Sequence, residues 1–307
     1  MKRLLSALCA ILMFAGCQKE PEETNTKGNL HVRIPESIAP VMIEEIKAFS
    51  ELYKESGANV TYSITTSEEA MKEFFRDTLR LCFSTIPFPE EQMQKAKEIS
   101  PEINTTLFAY DAIVFVTNEN NSLRQITTDE VKRIFDGKIS RWEQLKNSKQ
   151  KGNLFVSLQD SGDVIAYFRS LYKTEEFKIK NWQRAKSEEE VLNFTRANVR
   201  TLGIVPLSWY KKSSEGFSML EVAPTRSESD TMFAVAPEAI GKYFSPHPAY
   251  LYLRYYPFYR RLYVCCRTLY GNVAAGFTTF VTHSEGQKII LDNGLLPGTQ
   301  KIVLKQQ

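Results

Sequence analysis

Residues 126–145 read ITTDEVKRIFDGKISRWEQL, and this stretch decides the fold. Thr127 and Glu130 have the spacing of a capping box, in which a hydroxyl and a carboxylate satisfy free amides at a helix start. Val131, Ile134 and Phe135 then fall on one face of the helix that follows. Asp136-Gly137-Lys138 ends it, because glycine accepts the left-handed conformation at a helix C-terminus. Ser140 and Glu143 repeat the capping-box spacing, with Trp142 in the new turn. The residues alone predict a helix, a tight turn and a second short helix, a hairpin that many α/β proteins could contain.

Upstream, Lys2 and Arg3 precede an apolar run from Leu4 to Gly16 that ends in Phe14-Ala15-Gly16-Cys17. A charged start, a short apolar core and small residues before the cut describe a secretory signal over 1–16. The run is too short to span a bilayer, which needs roughly 20 apolar residues. A cysteine directly after Ala-Gly resembles the lipobox of bacterial lipoproteins, in which that cysteine is acylated, so Cys17 is the expected lipidation site. Residues 17–28 are polar and lack apolar periodicity, and they read as a flexible tether. The expected location is the bacterial cell envelope, lipid-anchored and facing the periplasm. Replacing Cys17 with Ala and fractionating cells tests this, and unchanged membrane association would refute it.

Composition bounds the remainder. About 290 of the 307 residues follow the signal, enough for two lobes of ordinary domain size. A formal charge of +3 is small for this length and gives no reason to expect nucleic acid as a partner. Cys82 and the pair Cys265-Cys266 lie in apolar, strand-like runs, and with His31, His247 and His283 they make no metal-ligand spacing. Buried thiols are expected, although a disulfide from Cys82 to Cys265 or Cys266 is compatible with an oxidising compartment. No cofactor is expected.

Predicted elements alternate as in an α/β protein. Strands are expected at 30–34, 59–64, 80–83, 111–117, 154–158, 202–205 and 261–266. Helices are expected at 40–53, from a Thr65/Glu68 cap toward Phe75, at 90–98, 162–172 and 188–196, and in one run from Ala274 to Asp292. The alternation Tyr250-Leu251-Tyr252-Leu253 suits a strand pair, although the tyrosines of that region would equally suit an interface.

Several of these pieces resemble one family in order along the chain. Residues 126–145 resemble the "LT-x-x-x-L-x-x-IF-x-G-x-I-x-x-W-x-x-L" signature of the phosphate-binding (PstS-like) substrate-binding proteins that serve bacterial ABC importers. Residues 111–120 resemble that family's crossing strand, and Ser161-Gly162 with Phe168 its "S-G-T … F" helix start. Leu202 to Pro206 resembles its "GAIGYV" turn, and residues 256–264 its "YPL-x-R-x-L-Y" return strand. Residues 276–297 resemble its "EGQ … G-x-x-P" terminus.

The resemblance implies an α/β, two-lobed periplasmic-binding-protein type II fold whose discontinuous lobes are joined by two crossing strands. Lobe 1 would comprise 29–110 plus 261–307, and lobe 2 would comprise 111–260. It implies capture of phosphate or another small anion in the interlobe cleft, and ABC permease subunits and a membrane reached through the lipid anchor as partners. It does not imply an enzyme, and no nucleophile–base or paired-carboxylate spacing is visible. An envelope lipoprotein that uses the same fold to hold a different ligand or a protein partner is the alternative.

Carried over by position, the ligand contacts are Ser37, Ser84, Thr85, Ser161, Gly162 and Asp163. Each hydroxyl could instead cap its helix. The arginine that the family places just upstream of Ser161 is missing, and Asp163 stands where the family has threonine. Glu36 adds a second carboxylate beside Ser37. An acidic side chain in the first turn of a helix can itself occupy the position an anion would fill. Phosphate binding is therefore expected to be weak.

Overall fold

The capping box at Thr127 forms in a computed structural model that describes residues 22–228 and 232–300. Glu130 accepts from the Thr127 N–H at 2.9 Å, and the Thr127 hydroxyl accepts from the Glu130 N–H at 3.2 Å. The helix they open is Thr128–Phe135. It ends in a Schellman motif: Lys138 N–H donates to Arg133 O and Gly137 N–H to Ile134 O, with Gly137 at φ 72°. A Cβ on Gly137 would lie 2.3 Å from Lys178 O. Gly137→Ala is therefore expected to cost upwards of about 1 kcal/mol in a urea titration, and an unchanged midpoint would refute this account of the turn.

The second half of the hairpin differs from expectation. It is a single 3-10 turn, Trp142–Gln144. Gln144, and not Glu143, reaches back, accepting from the N–H groups of Ser140 and Arg141. Glu143 instead accepts from Gly152 N–H and Arg141 Nε.

The chain builds an eight-stranded sheet around one long strand. This strand, β4 (Asn104–Asn118), extends well upstream of the predicted 111–117. Its first half pairs antiparallel with β11 (Tyr259–Cys266) and with β12 (Leu296–Pro297). Its second half pairs antiparallel with β8 (Thr201–Pro206) and β9 (Phe217–Met219). On one side β11 continues to β3 (Leu81–Ser84), and on the other β8 continues through β6 (Phe155–Gln159) to β7 (Trp182–Ala185). The parallel pair β1 (Gly28–Pro35) and β2 (Ala58–Thr65) lies next to β3. Two lobes therefore share β4 and β11, the two-lobed α/β architecture that the sequence implied.

Apolar packing ties the signature hairpin to the second lobe's central helix, α5 (Asp163–Tyr172). Phe135 meets Phe168 with ring centroids 4.6 Å apart, and Phe168 in turn meets Phe115 of β4 and Phe258. Offset and edge-on pairs of this kind add about 0.5–1.5 kcal/mol each beyond their burial. They fix where the N-terminus of α5 points.

Three further expectations are corrected. The run 274–292 is two helices, Val273–Thr282 and Ser284–Asp292, because His283 takes an extended conformation between them. The Tyr250 segment is a short helix, Pro248–Tyr252, and not a strand. Pro248 opens it, and the His247 ring accepts from Ala249 N–H. The end of the presumed tether is docked on the body: Glu23 pairs with Arg80 at 2.7 Å, and Asn25 accepts from Gly271 N–H. The signal, Cys17 and the rest of the tether up to residue 21 lie outside the described residues. Cys82, Cys265 and Cys266 are buried and free, as expected for structural thiols.

One buried carboxyl in the first lobe makes stability depend on pH. Glu45 is fully buried on the helix Ala39–Leu52, and neither oxygen has a hydrogen-bond partner among the described residues. Burial, followed by the charge of Glu44, pushes its pKa up to about 9. The folded chain thus holds a proton that the unfolded chain, with an ordinary value of about 4.3, releases. Stability is present in full below that ordinary value and falls as pH rises toward about 9, by at most about 1.4 kcal/mol per pH unit. Glu45→Gln should flatten this slope in melts at pH 6 and pH 9, and an unchanged slope would count against the assignment.

Candidate functional site

Strand ends from both lobes converge on one seam. From the first lobe, β1 ends at Pro35 and turns through Glu36–Ile38. Next, β2 ends at Thr65, and Ser67 opens the helix α2 (Ser67–Phe75). Finally β3 ends at Ser84, followed by Thr85. From the second lobe, β6 leads to α5, β7 leads to α6 (Glu188–Ala197), and β8 leads to the short helix Leu207–Lys212. Carboxyl ends of strands and N-termini of helices are where α/β folds place ligands.

At the centre of the seam stands Asp163, 6% exposed. Its Oδ2 accepts from the Ser37 hydroxyl at 2.9 Å and the Ser67 hydroxyl at 2.8 Å, and its Oδ1 accepts from the Ser67 N–H at 2.9 Å. The single Ser67 hydroxyl proton goes to Asp163, so Thr85 donates to that oxygen from both its N–H (2.9 Å) and its hydroxyl (3.2 Å). Hydrogen bonds to a charged group contribute about 1.5–3 kcal/mol each. The Ser67 N–H is one of the free amides at a helix start, where the macrodipole favours negative charge. Gly162, at φ 99° and ψ −170°, makes the sharp entry into α5. A Cβ there would lie 3.1 Å from Gln159 Oε1.

The structure brings Ser37, Thr85, Gly162 and Asp163 to this seam, where the Asp163 carboxylate is an acceptor of hydrogen bonds. Ser84 does not join them: its hydroxyl closes its own turn, donating to Ile86 O and accepting from Ile86 N–H. Ser161 is exposed.

Five participants escaped sequence reading: Ser67, Arg260, Gln159, Glu188 and Trp209. Ser67 lies in Thr65-Thr66-Ser67-Glu68, and the helix cap there is Thr66 accepting from Glu69 N–H, one residue later than the expected Thr65. Thr65 is held by β2 and donates instead to Glu69. An arginine also enters the seam from another strand. Arg260 of β11 donates to the Ser37 hydroxyl at 3.2 Å and to Ser37 O at 3.1 Å, while pairing with Asp111 at 2.7 Å. Burial raises the Asp111 pKa, and Arg260 pulls against it.

Gln159 and Glu188 complete the seam around Glu36. Gln159 Nε2 donates to Glu36 at 2.7 Å and the Glu188 N–H donates to it at 3.1 Å, while the Trp209 indole N–H donates to Glu36 O at 2.8 Å. The Glu188 carboxyl is fully buried, with no hydrogen-bond partner among the described residues. Burial first, and then the nearby charge of Glu36, hold its pKa well above the usual carboxylate range.

The family model described as the PBP superfamily domain matches residues 19–285. The chain belongs to the PBP superfamily. Among relatives, the phosphate-binding protein PstS of Borreliella burgdorferi is 23% identical over 270 residues, which is 85% of this chain and 86% of that protein. A Clostridium perfringens protein solved with bound phosphate has a similar fold, with a TM-score of 0.68 and 17% identity over 88% of this chain and 99% of that one. An ABC-type phosphate transport receptor of Vibrio cholerae gives a TM-score of 0.62 at 14% identity, with 88% and 99% coverage. At these identities the structural likeness shows the fold of this superfamily member.

Proposed function

We propose that this chain is the solute-binding component of an ABC-type importer, taking phosphate or a related small oxyanion in the interlobe cleft with low affinity. The observation that carries this reading is the convergence of the Ser37 hydroxyl, the Ser67 hydroxyl and the Ser67 N–H on one anionic group at a helix N-terminus. Donors arranged so suit an oxyanion, and the named phosphate-binding relatives support the same class. Here the anionic group is Asp163, so a solute oxyanion must displace it. The lobes are taken to divide as 29–110 plus 261–307 and 111–260, with ABC permease subunits reading their closure and a lipid on Cys17 holding the chain at the membrane. Among the described residues no helix is long and apolar enough to cross a membrane.

Calorimetric titration of the purified chain with phosphate, sulfate and arsenate tests the reading. Millimolar or high-micromolar binding that weakens with added competing oxyanion supports it, and no oxyanion binding at all overturns it. The occupied donor set favours one second reading, an envelope protein that uses this fold for a different ligand or a protein partner.

A further inference from the structure

Two carboxylates cross the seam in opposite directions. Asp163, from the second lobe, accepts the first free amide of α2 in the first lobe, that of Ser67. Glu36, from the first lobe, accepts the first free amide of α6 in the second lobe, that of Glu188. Each lobe therefore supplies the anion that the other lobe's helix N-terminus favours. Both helices are long enough for this to matter, with nine residues in α2 and ten in α6.

The turn that carries Glu36 and Ser37 is gripped further by Gln159, Trp209 and Arg260, whose donors reach its carboxylate, hydroxyl and main-chain oxygens. Every one of these contacts is made by the chain to itself.

We propose that this protein closes on itself, with Glu36 and Asp163 acting as internal ligands that hold the lobes together when no solute is bound. The inference goes beyond the transport reading, because it concerns the empty protein. Separating the lobes strips the anion from both helix starts at once, so closure is cooperative between the two carboxylates. A small oxyanion then acts as a competitor for the Ser67 and Ser37 donors and gives no additional closure. A membrane partner that reads lobe closure would meet the closed shape irrespective of solute.

Small-angle scattering and amide exchange on the intact chain, first in buffer free of oxyanions, test this. The expected results are a radius of gyration matching the closed chain, protected amides at Ser67 and Glu188, and no contraction on adding inorganic phosphate. In the double variant Glu36→Ala/Asp163→Ala the radius should grow. The two amides should then exchange about 10- to 100-fold faster, the factor for losing one hydrogen bond to a charged group.

A wild-type chain that is expanded without phosphate, or whose Ser67 and Glu188 amides are unprotected, overturns the proposal even if the double variant fails to fold. Expansion followed by contraction at micromolar phosphate would overturn it while supporting transport. A closed, protected chain that never titrates with phosphate would support it while counting against transport.

Discussion

Replacing Asp163 with threonine is expected to tighten the binding of inorganic phosphate by about two to three orders of magnitude. In the native chain the Ser37 and Ser67 donors are already committed to Asp163, so an incoming phosphate must first break those bonds. It must then sit beside the carboxylate it displaced. Two like charges about 4 Å apart repel by roughly 4 kcal/mol at an effective dielectric of 20, which corresponds to nearly three decades of affinity. Threonine removes the charge, frees the donors and leaves a hydroxyl at the start of α5. Arg260 stays in place through Asp111 and Ser37, so the variant retains a cation beside the site. Calorimetry on both proteins decides the matter. Sub-micromolar phosphate affinity in the unmodified chain, or a variant that binds no more tightly, would refute the account.

The sequence made the fold legible because its strongest local signals are chemically redundant. In residues 126–145 a capping box, an apolar helix face and a left-handed glycine all specify the same hairpin, and each of the three forms. Where one signal stood alone, other local chemistry overrode it. The alternation at Tyr250-Leu251-Tyr252-Leu253 suggested a strand, yet Pro248 and the His247 cap start a helix there. The run from Ala274 to Asp292 reads as one helix by periodicity, and only the extended backbone at His283 breaks it.

The site was half legible. Ser37, Thr85, Gly162 and Asp163 were carried over by position from the family resemblance, and each lies at the seam. Ser67 was hidden by a one-residue error in the helix start, which put it at the second helical position instead of the first. Arg260 was hidden for a different reason. It lies nearly a hundred residues from Asp163 in the sequence, and only the antiparallel register of β11 on β4 sets Arg260 opposite Asp111. A pairing of that kind is a property of the sheet and not of any local pattern.

That pairing carries the second large expected effect. Arg260 is 3% exposed and Asp111 fully buried, and the guanidinium reaches the carboxylate through both Nε (3.0 Å) and Nη2 (2.7 Å). Arg260→Met removes the cation and leaves Asp111 in the interior with the Ala112 N–H as a remaining donor. Leaving one member of a buried ion pair uncompensated costs about 3–5 kcal/mol, a large share of the 5–15 kcal/mol by which a domain is ordinarily stable. Replacing both members, as Arg260→Met/Asp111→Leu, should restore most of that loss, because two well-packed apolar side chains avoid the desolvation that the charges incur. Urea unfolding of the two single variants and the double variant gives the coupling between them. A single variant within about 1 kcal/mol of the native chain would mean that the pair behaves like a surface ion pair and does not anchor the seam. The double variant also isolates what Arg260 does for Ser37. With the ion pair gone at little cost, any faster amide exchange at Ser67 reports the loss of the Arg260 bonds that hold the Ser37 turn against Asp163.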